Sequence, residues 1–299
     1  MIIDVQHHWT VFDPYTEKYA AEPLERRIAE MGQYGIDKAA MSNQPKPNDR
    51  TNIEDYRLLN GQLKDAVEKY PDHFIPLPSI PLSDLKSGRE ILDEAMSKIE
   101  PSGIFVRPYK GRIDAPEIWP LYDKICNEDL TVVVHPIYPE PTEYYKPYHL
   151  GGSVGFMFNS TLAAAYAIFS GLLEAFPKLR IVFPHLGGTL PFLIGRIDNT
   201  YEISGSKIPK RPIEYFKRLY FDTACYHQEA LDYTCKMVGP DKLLLGTDYG
   251  CPYKECFVKP ALQIGMINKL DISEEDKKKI LGDNAAKLLK VEALKPIAE

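Results

Sequence analysis

The stretch Ile2-Ile3-Asp4-Val5-Gln6-His7-His8-Trp9 decides the fold of this chain. Ile2, Ile3 and Val5 form a short β-branched run of strand character. The residues after the run are polar and carry imidazoles rather than glycines. A doubly wound open sheet usually places a glycine-rich turn after its first strand, where backbone N–H groups meet a phosphate. Here no GxGxxG occurs anywhere in the 299 residues. Outward from this first strand, strand-like runs recur at 39–42, 74–78, 103–107, 131–135, 180–183, 219–221 and 243–245. Amphipathic stretches separate them, among them 52–69, 85–99, 116–127, 162–176 and 229–238. Strands alternating with helices at this spacing imply parallel βαβ units. Eight of them predict an α/β fold of the (β/α)8 TIM-barrel type, which typically needs ~250 residues. The surplus is assigned to a long loop at 138–158 and to extra C-terminal helices after Ser273. No glycine/serine-rich linker or composition break divides the chain, so residues 1–299 read as one domain.

Composition excludes several function classes. The 36 basic and 42 acidic residues leave a net charge of −6 with no basic block, which argues against nucleic acid as a partner. No apolar run is seen that approaches the ~18 residues of a membrane span, so no membrane partner is expected. The five cysteines include no CxxC, and the N-terminus carries no basic, apolar and small-residue leader pattern. The expectation is a reduced, cytoplasmic protein.

In a barrel, the carboxyl ends of the strands face the active site. Those positions here are Gln6 and His8 after the first strand, Arg107 after the fourth, His135 after the fifth, His185 after the sixth, Asp222 after the seventh and Asp248 after the eighth. Three of the seven histidines stand at strand ends and His7 lies beside one of them. Alternation along a strand puts Asp4, Gln6 and His8 on one face and turns His7 toward the helix layer. His8, His135 and Asp248 then converge as two imidazoles and a carboxylate, a set suited to zinc or another borderline metal with an open position. His185, in Pro184-His185-Leu186-Gly187-Gly188, suits a fourth ligand or a general acid/base, and Asp248 suits a ligand, a proton carrier or both. Arg196 is either a bidentate clamp for a substrate carboxylate or a helix arginine pairing with Asp198 or Glu202. Arg107 and Arg50 are weaker candidates of the same kind. Tyr138, Tyr144, Tyr145 and Tyr148 read as an ordered lid or a surface for oligomer contact, Phe156 and Phe158 as a flat apolar slot, and Cys225 and Cys251 as candidate pocket lining.

Several motifs in fixed order make the chain resemble a known family. They are Ile3-Asp4-Val5-Gln6-His7-His8, Lys69-Tyr70-Pro71-Asp72-His73-Phe74, Val133-Val134-His135-Pro136, the run from Phe176 to Gly188, Leu245-Gly246-Thr247-Asp248-Tyr249, and Ile280-Leu281-Gly282-Asp283-Asn284-Ala285-Ala286-Lys287-Leu288-Leu289. Together they resemble the amidohydrolase-2 family of the amidohydrolase superfamily, and within it the 2-amino-3-carboxymuconate 6-semialdehyde decarboxylase-like group. The resemblance implies a barrel with one divalent metal ion at its carboxyl face, its ligand positions falling on Gln6, His8, His135 and Asp248. It implies proton transfer at His185 and a carboxylate-binding arginine at Arg196, supplied across a homodimer interface.

One position departs from that pattern. Gln6 stands where a ligating histidine is usual. A neutral amide is the poorer ligand, and its oxygen moves preference from zinc toward manganese or magnesium. The other role open to Gln6 is substrate binding. The implied activity is metal-dependent non-oxidative decarboxylation of a small aromatic or muconate-type carboxylic acid. The alternatives are a hydrolase or hydratase of the lactonase kind using the same site, and a non-catalytic barrel acting as a binding protein.

Overall fold

The computed structural model describes residues 1–13, 18–46, 52–138, 141–250 and 260–292. Ten strands run in chain order among these residues. They are β1 (Ile3–Asp13), β2 (Lys18–Ala21), β3 (Lys38–Gln44), β4 (Phe74–Pro76), β5 (Ser79–Ile80), β6 (Gly103–Val106), β7 (Thr131–Val134), β8 (Arg180–Phe183), β9 (Tyr220–Asp222) and β10 (Leu243–Leu244). All eight expected strands are present. The additions are β5, which directly continues the expected run at 74–78, and β2, which folds back antiparallel on the end of β1.

One parallel run is β1-β3-β4 and the other is β5-β6-β7-β8-β9-β10. A single extended segment, 74–80, joins them. Its Leu77 N–H donates to Met41 of β3 and its Pro78 carbonyl accepts from Phe105 of β6, each at 2.9 Å. Pro76 and Pro78 have no N–H to give, so the ladder is interrupted there. The ring closes where Val5 N–H donates to Leu245 at 2.9 Å and His8 N–H to Tyr249 at 2.7 Å. The result is a (β/α)8 barrel.

Alternation along the strands sorts side chains into two cores. Val106, Val134, Ile181 and Phe183 pack outward against the helices. Ile3, Val5, Ala40, Ile75, Leu77, Phe105, Val133, Val182 and Leu244 fill the interior, and Ala285, Leu288 and Leu289 from the C-terminal helices close its floor. The helix Ile53–Lys69 starts where Asn52 and Asp55 exchange side-chain and backbone hydrogen bonds. The predicted helix at 162–176 lies differently. The helical stretch begins at Gly151, runs to Phe169, and ends before Gly171, whose φ of 85° a side chain resists. Residues 151–169 are long and apolar enough by composition to cross a membrane, a run missed in the sequence. Ala163, Ala164, Ala167 and Ile168 of this helix are fully buried in the outer core.

Candidate functional site

The interior positions above the apolar layers are polar. Two residues beyond Ala40, Phe105, Val133 and Tyr220 stand Ser42, Arg107, His135 and Asp222. Parity places them at the mouth of the barrel.

Strand β1 reaches the same level by an irregular route. Its register against β3 shifts between Asp4 and His7. Such a bulge reverses which face later side chains take. Strict alternation put Asp4 with Gln6 and His8; the bulge instead pairs Asp4 with His7 on the outer face. There Asp4 accepts from His7 Nδ1 at 2.9 Å, from the Gln6 N–H at 3.1 Å and from the Thr247 N–H at 3.0 Å. The Thr247 hydroxyl donates to it as well. Tyr249 stacks on His7 at 5.2 Å, and Arg27 lies 4.4 Å over the Tyr249 ring. This buried knot ties β1 to the loop that carries Asp248. His7 faces the helix layer, as alternation from His8 requires.

On the inner face, His8, His135 and Asp248 bring one ligand atom each within 4.8 Å of one another. His8 Nδ1 meets Ser42 Oγ at 2.8 Å, while His8 Nε2, 3.4 Å from Asp248 Oδ1, is buried without a hydrogen bond. His135 Nδ1 donates to the Pro136 carbonyl at 2.9 Å, so the lone pair is on Nε2, 3.3 Å from the Gln44 amide. Burial, aided by the neighbouring His8 and Arg107, holds the His135 pKa well below its ordinary value. Gln6 Nε2 donates to Asp248 Oδ1 at 3.1 Å and lies 3.1 Å from His185 Nε2. Its carbonyl Oε1 is buried with no partner.

His185 Nε2 lies 3.6 Å from Asp248 Oδ2. Burial alone would lower the His185 pKa, but the Asp248 carboxylate outweighs it and the shift is upward. For Asp248 burial pulls upward, and His185 and His8 together bring it well below the usual carboxylate range. Asp222, placed by the sequence at a strand end without a role, supports this arrangement. Its Oδ1 accepts from the His185 N–H at 2.7 Å and the Ala224 N–H at 3.0 Å. Its Oδ2 is buried and unpartnered, and burial pushes its pKa up to about 7.

The backbone at the site is unusual too. His185, Leu186 and Asp248 take φ of 55°, 56° and 57°, the left-handed region, at about 1–2 kcal/mol each. A Cβ at Gly188 would lie 2.1 Å from the Met157 carbonyl, and one at Gly250 would lie 1.8 Å from the His8 carbonyl. These two glycines let the His185 and Asp248 loops come close enough to converge.

Other expected residues fall elsewhere. Phe156 packs 5.8 Å from His135 and 4.7 Å from Tyr138, so these rings wall the mouth. Phe158, Tyr144 and Tyr148 are exposed and do not line it. Arg196 is exposed on the helix Leu190–Asn199. It does not pair with Asp198 or Glu202, because Arg211 takes both, at 3.0 and 2.9 Å. Cys225 sits in the loop after β9 with its thiol 3.8 Å from the His227 carbonyl. Arg50 and Cys251 lie outside the described residues. Ser42 and Gln44 went unnoticed in the sequence. Their signal was the same two-residue step from Ala40 that marks the other mouth positions.

The Amidohydrolase family model matches residues 3–291 of this chain. A 2-amino-3-carboxymuconate-6-semialdehyde decarboxylase from Dictyostelium discoideum is 29% identical over 276 residues, covering 88% of this chain and 75% of that protein. A gamma-resorcylate decarboxylase from Rhizobium sp. (strain MTP-10005) is 26% identical over 291 residues, covering 90% and 87%. Among solved structures, a dihydroxybenzoic acid decarboxylase from Polaromonas sp. JS666, with bound manganese and the inhibitor 2-nitroresorcinol, matches with a TM-score of 0.83. At 21% identity over 97% of this chain and 96% of that one, it shares the fold.

Proposed function

This chain belongs to the Amidohydrolase family, and from that premise we propose that it is a metal-dependent non-oxidative decarboxylase of an aromatic or muconate-type carboxylic acid. The observation that carries the reading is the convergence of His8, His135 and Asp248 at the barrel mouth, with His185 against the second oxygen of Asp248. The decarboxylases among its relatives support the choice of reaction.

The three groups fit a divalent first-row ion. The two imidazoles turn their Nε2 atoms inward because Ser42 and Pro136 engage their Nδ1 atoms, the outer arrangement that orients metal-binding histidines. When bound, such an ion supplies a Lewis acid for the substrate carboxylate and the oxygen beside it. The chain's own residues do the rest. As the carbon–carboxylate bond breaks, its electron pair stays on carbon, CO2 departs, and His185 Nε2 delivers the proton that takes its place. The elevated His185 pKa suits that role near neutrality. Gln6 has its amide nitrogen engaged on Asp248, so its Oε1 is left to accept from a substrate hydroxyl. Phe156 and Tyr138 keep water from the reacting carbon.

Arg196 has no carboxylate of its own chain among the described residues, and it shares its helix with Phe192, 80% exposed. Both features support a homodimer in which Arg196 holds the carboxylate of a substrate bound in the partner. The free thiols of Cys126, Cys225 and Cys235 suit a reducing cytoplasm.

Metal analysis with a CO2-release screen over hydroxybenzoates and muconate-type acids tests the reading. We expect one divalent ion per chain, identified as manganese or zinc by mass spectrometry, and its loss in His135→Ala. If His8→Ala and His135→Ala both keep metal and turnover, the site is misplaced.

A further inference from the structure

Arg107 is the residue at the mouth whose chemistry the reaction above does not use. It stands one step beyond Val106, which pairs with Val134 across the parallel β6–β7 ladder. Phe105 and Val133 face the barrel interior, while Val106 and Val134 face outward. Arg107 and His135 therefore face the axis side by side, at one level.

The guanidinium there is a cation without an anion among the described residues. Its Nη1 donates to the Pro45 carbonyl at 2.8 Å, which fixes its plane. Its Nε is buried with no hydrogen-bond partner. Several other arginines drawn out of solvent meet carboxylates: Arg27 with Glu22, Arg57 with Glu54, Glu90 and Glu94, and Arg180 with Asp129. Arg107 has none within 4.0 Å among the described residues. The nearby Asp55 is 3.4 Å from Lys46. The groups of opposite sign that reach its charge are phenols, those of Tyr56, Tyr138 and Tyr19, and burial pushes its pKa down to about 10. A charge drawn even partly out of water is costly unless something pairs with it. The edge left open, Nε with Nη2, is the planar fork that takes a carboxylate through two parallel hydrogen bonds.

We propose that Arg107 is the receptor for a second carboxylate on the substrate, so that the natural substrate is an aromatic or muconate-type acid carrying two carboxylates. The inference rests on the decarboxylase reading for which group departs. One carboxylate lies over the His8–His135–Asp248 side and is lost as CO2. The other lies on the β6 side, survives the reaction and fixes the orientation of the molecule. The mouth is polarised to match, with Asp222 and Asp248 on the β9–β10 side and Arg107 on the β6 side.

Calorimetric titration of the Mn2+-loaded protein with benzoate, benzene-1,3-dicarboxylate and benzene-1,4-dicarboxylate tests this. Wild type should favour at least one dicarboxylate over benzoate by about tenfold or more, the worth of one charge-assisted pair. Arg107→Gln should reduce that preference to within about twofold while leaving benzoate binding and metal content unchanged. Arg107→Lys should keep part of it, and decides the matter if the glutamine variant does not fold. Equal binding of all three acids by wild type overturns the proposal, and so does a preference that survives in Arg107→Gln. A protein that releases no CO2 from any acid yet keeps an Arg107-dependent preference loses the decarboxylase reading and retains the receptor.

Discussion

The floor and the mouth of this barrel are built by the same strands, two residues apart, and they obey opposite rules. At the floor, Val133, Val182, Leu244 and Leu288 are closed into one apolar cluster. Two residues further along the chain the side chain is His135, and around it lie polar atoms that no group among the described residues satisfies: Gln6 Oε1, His8 Nε2, His185 Nδ1, Asp222 Oδ2 and Arg107 Nε. Each costs stability, since a buried polar atom without a partner forfeits the hydrogen bonds it had in water. The left-handed backbone at His185 and Asp248 adds strain at the same end. The floor holds the barrel together, and the mouth gives up part of that stability to groups aimed at something absent from the chain itself.

The comparison breaks most directly at His185. His185→Ala should cut turnover by about 10²–10⁴-fold, the usual worth of a positioned acid, with the urea midpoint and metal content nearly unchanged. Mixed with Arg196→Ala under conditions of subunit exchange, it should regain activity, because one hybrid site would then be complete. Loss of the metal along with turnover would make His185 a ligand instead.

Val133→Ala probes the floor from the same strand as His135. Removing two buried methyl carbons should cost about 2 kcal/mol in urea unfolding, with metal content intact. Metal loss with little change in stability would mean that floor and mouth are not separate in the way described.

Asp222 gives the most conditional effect. Its folded pKa of about 7 stands above the ordinary 3.8, so the folded protein holds a proton there that the unfolded chain releases. The contribution to stability is greatest below pH 3.8 and falls as pH rises toward 7. In chelator-treated protein, Asp222→Asn should flatten that decline and be the more stable form at pH 8, by no more than about 4 kcal/mol. The amide oxygen can keep both backbone hydrogen bonds. An unchanged pH profile of urea unfolding would show that Asp222 ionises normally.

The barrel and the membership of its mouth were legible in the sequence because both follow from short-range rules. Strand runs and helical stretches alternate visibly, and the last residue of a parallel strand must lie at the carboxyl end. The phase of β1 was not legible. Whether Asp4 sits with His8 or behind it depends on a bulge against β3, and a bulge is set by the partner strand. Nor could the pairing of Asp198 and Glu202 with Arg211, rather than with Arg196, be read from spacing, since Arg211 approaches them from a separate element.

By itself, then, the sequence determined which residues gather: Gln6 and His8 lie within the first strand, and Arg107, His135, His185, Asp222 and Asp248 lie at or just beyond the ends of later ones. Tertiary structure alone decided what each of them meets. It turned the Gln6 amide onto Asp248, freed the His8 and His135 Nε2 atoms by engaging their other nitrogens, and left Arg107 without a carboxylate among the described residues. The physical reason is range. Periodicity of 2 is a property of a few neighbouring residues, whereas a hydrogen bond is made or lost within a few tenths of an ångström between side chains that the chain brings from as far as 243 residues away.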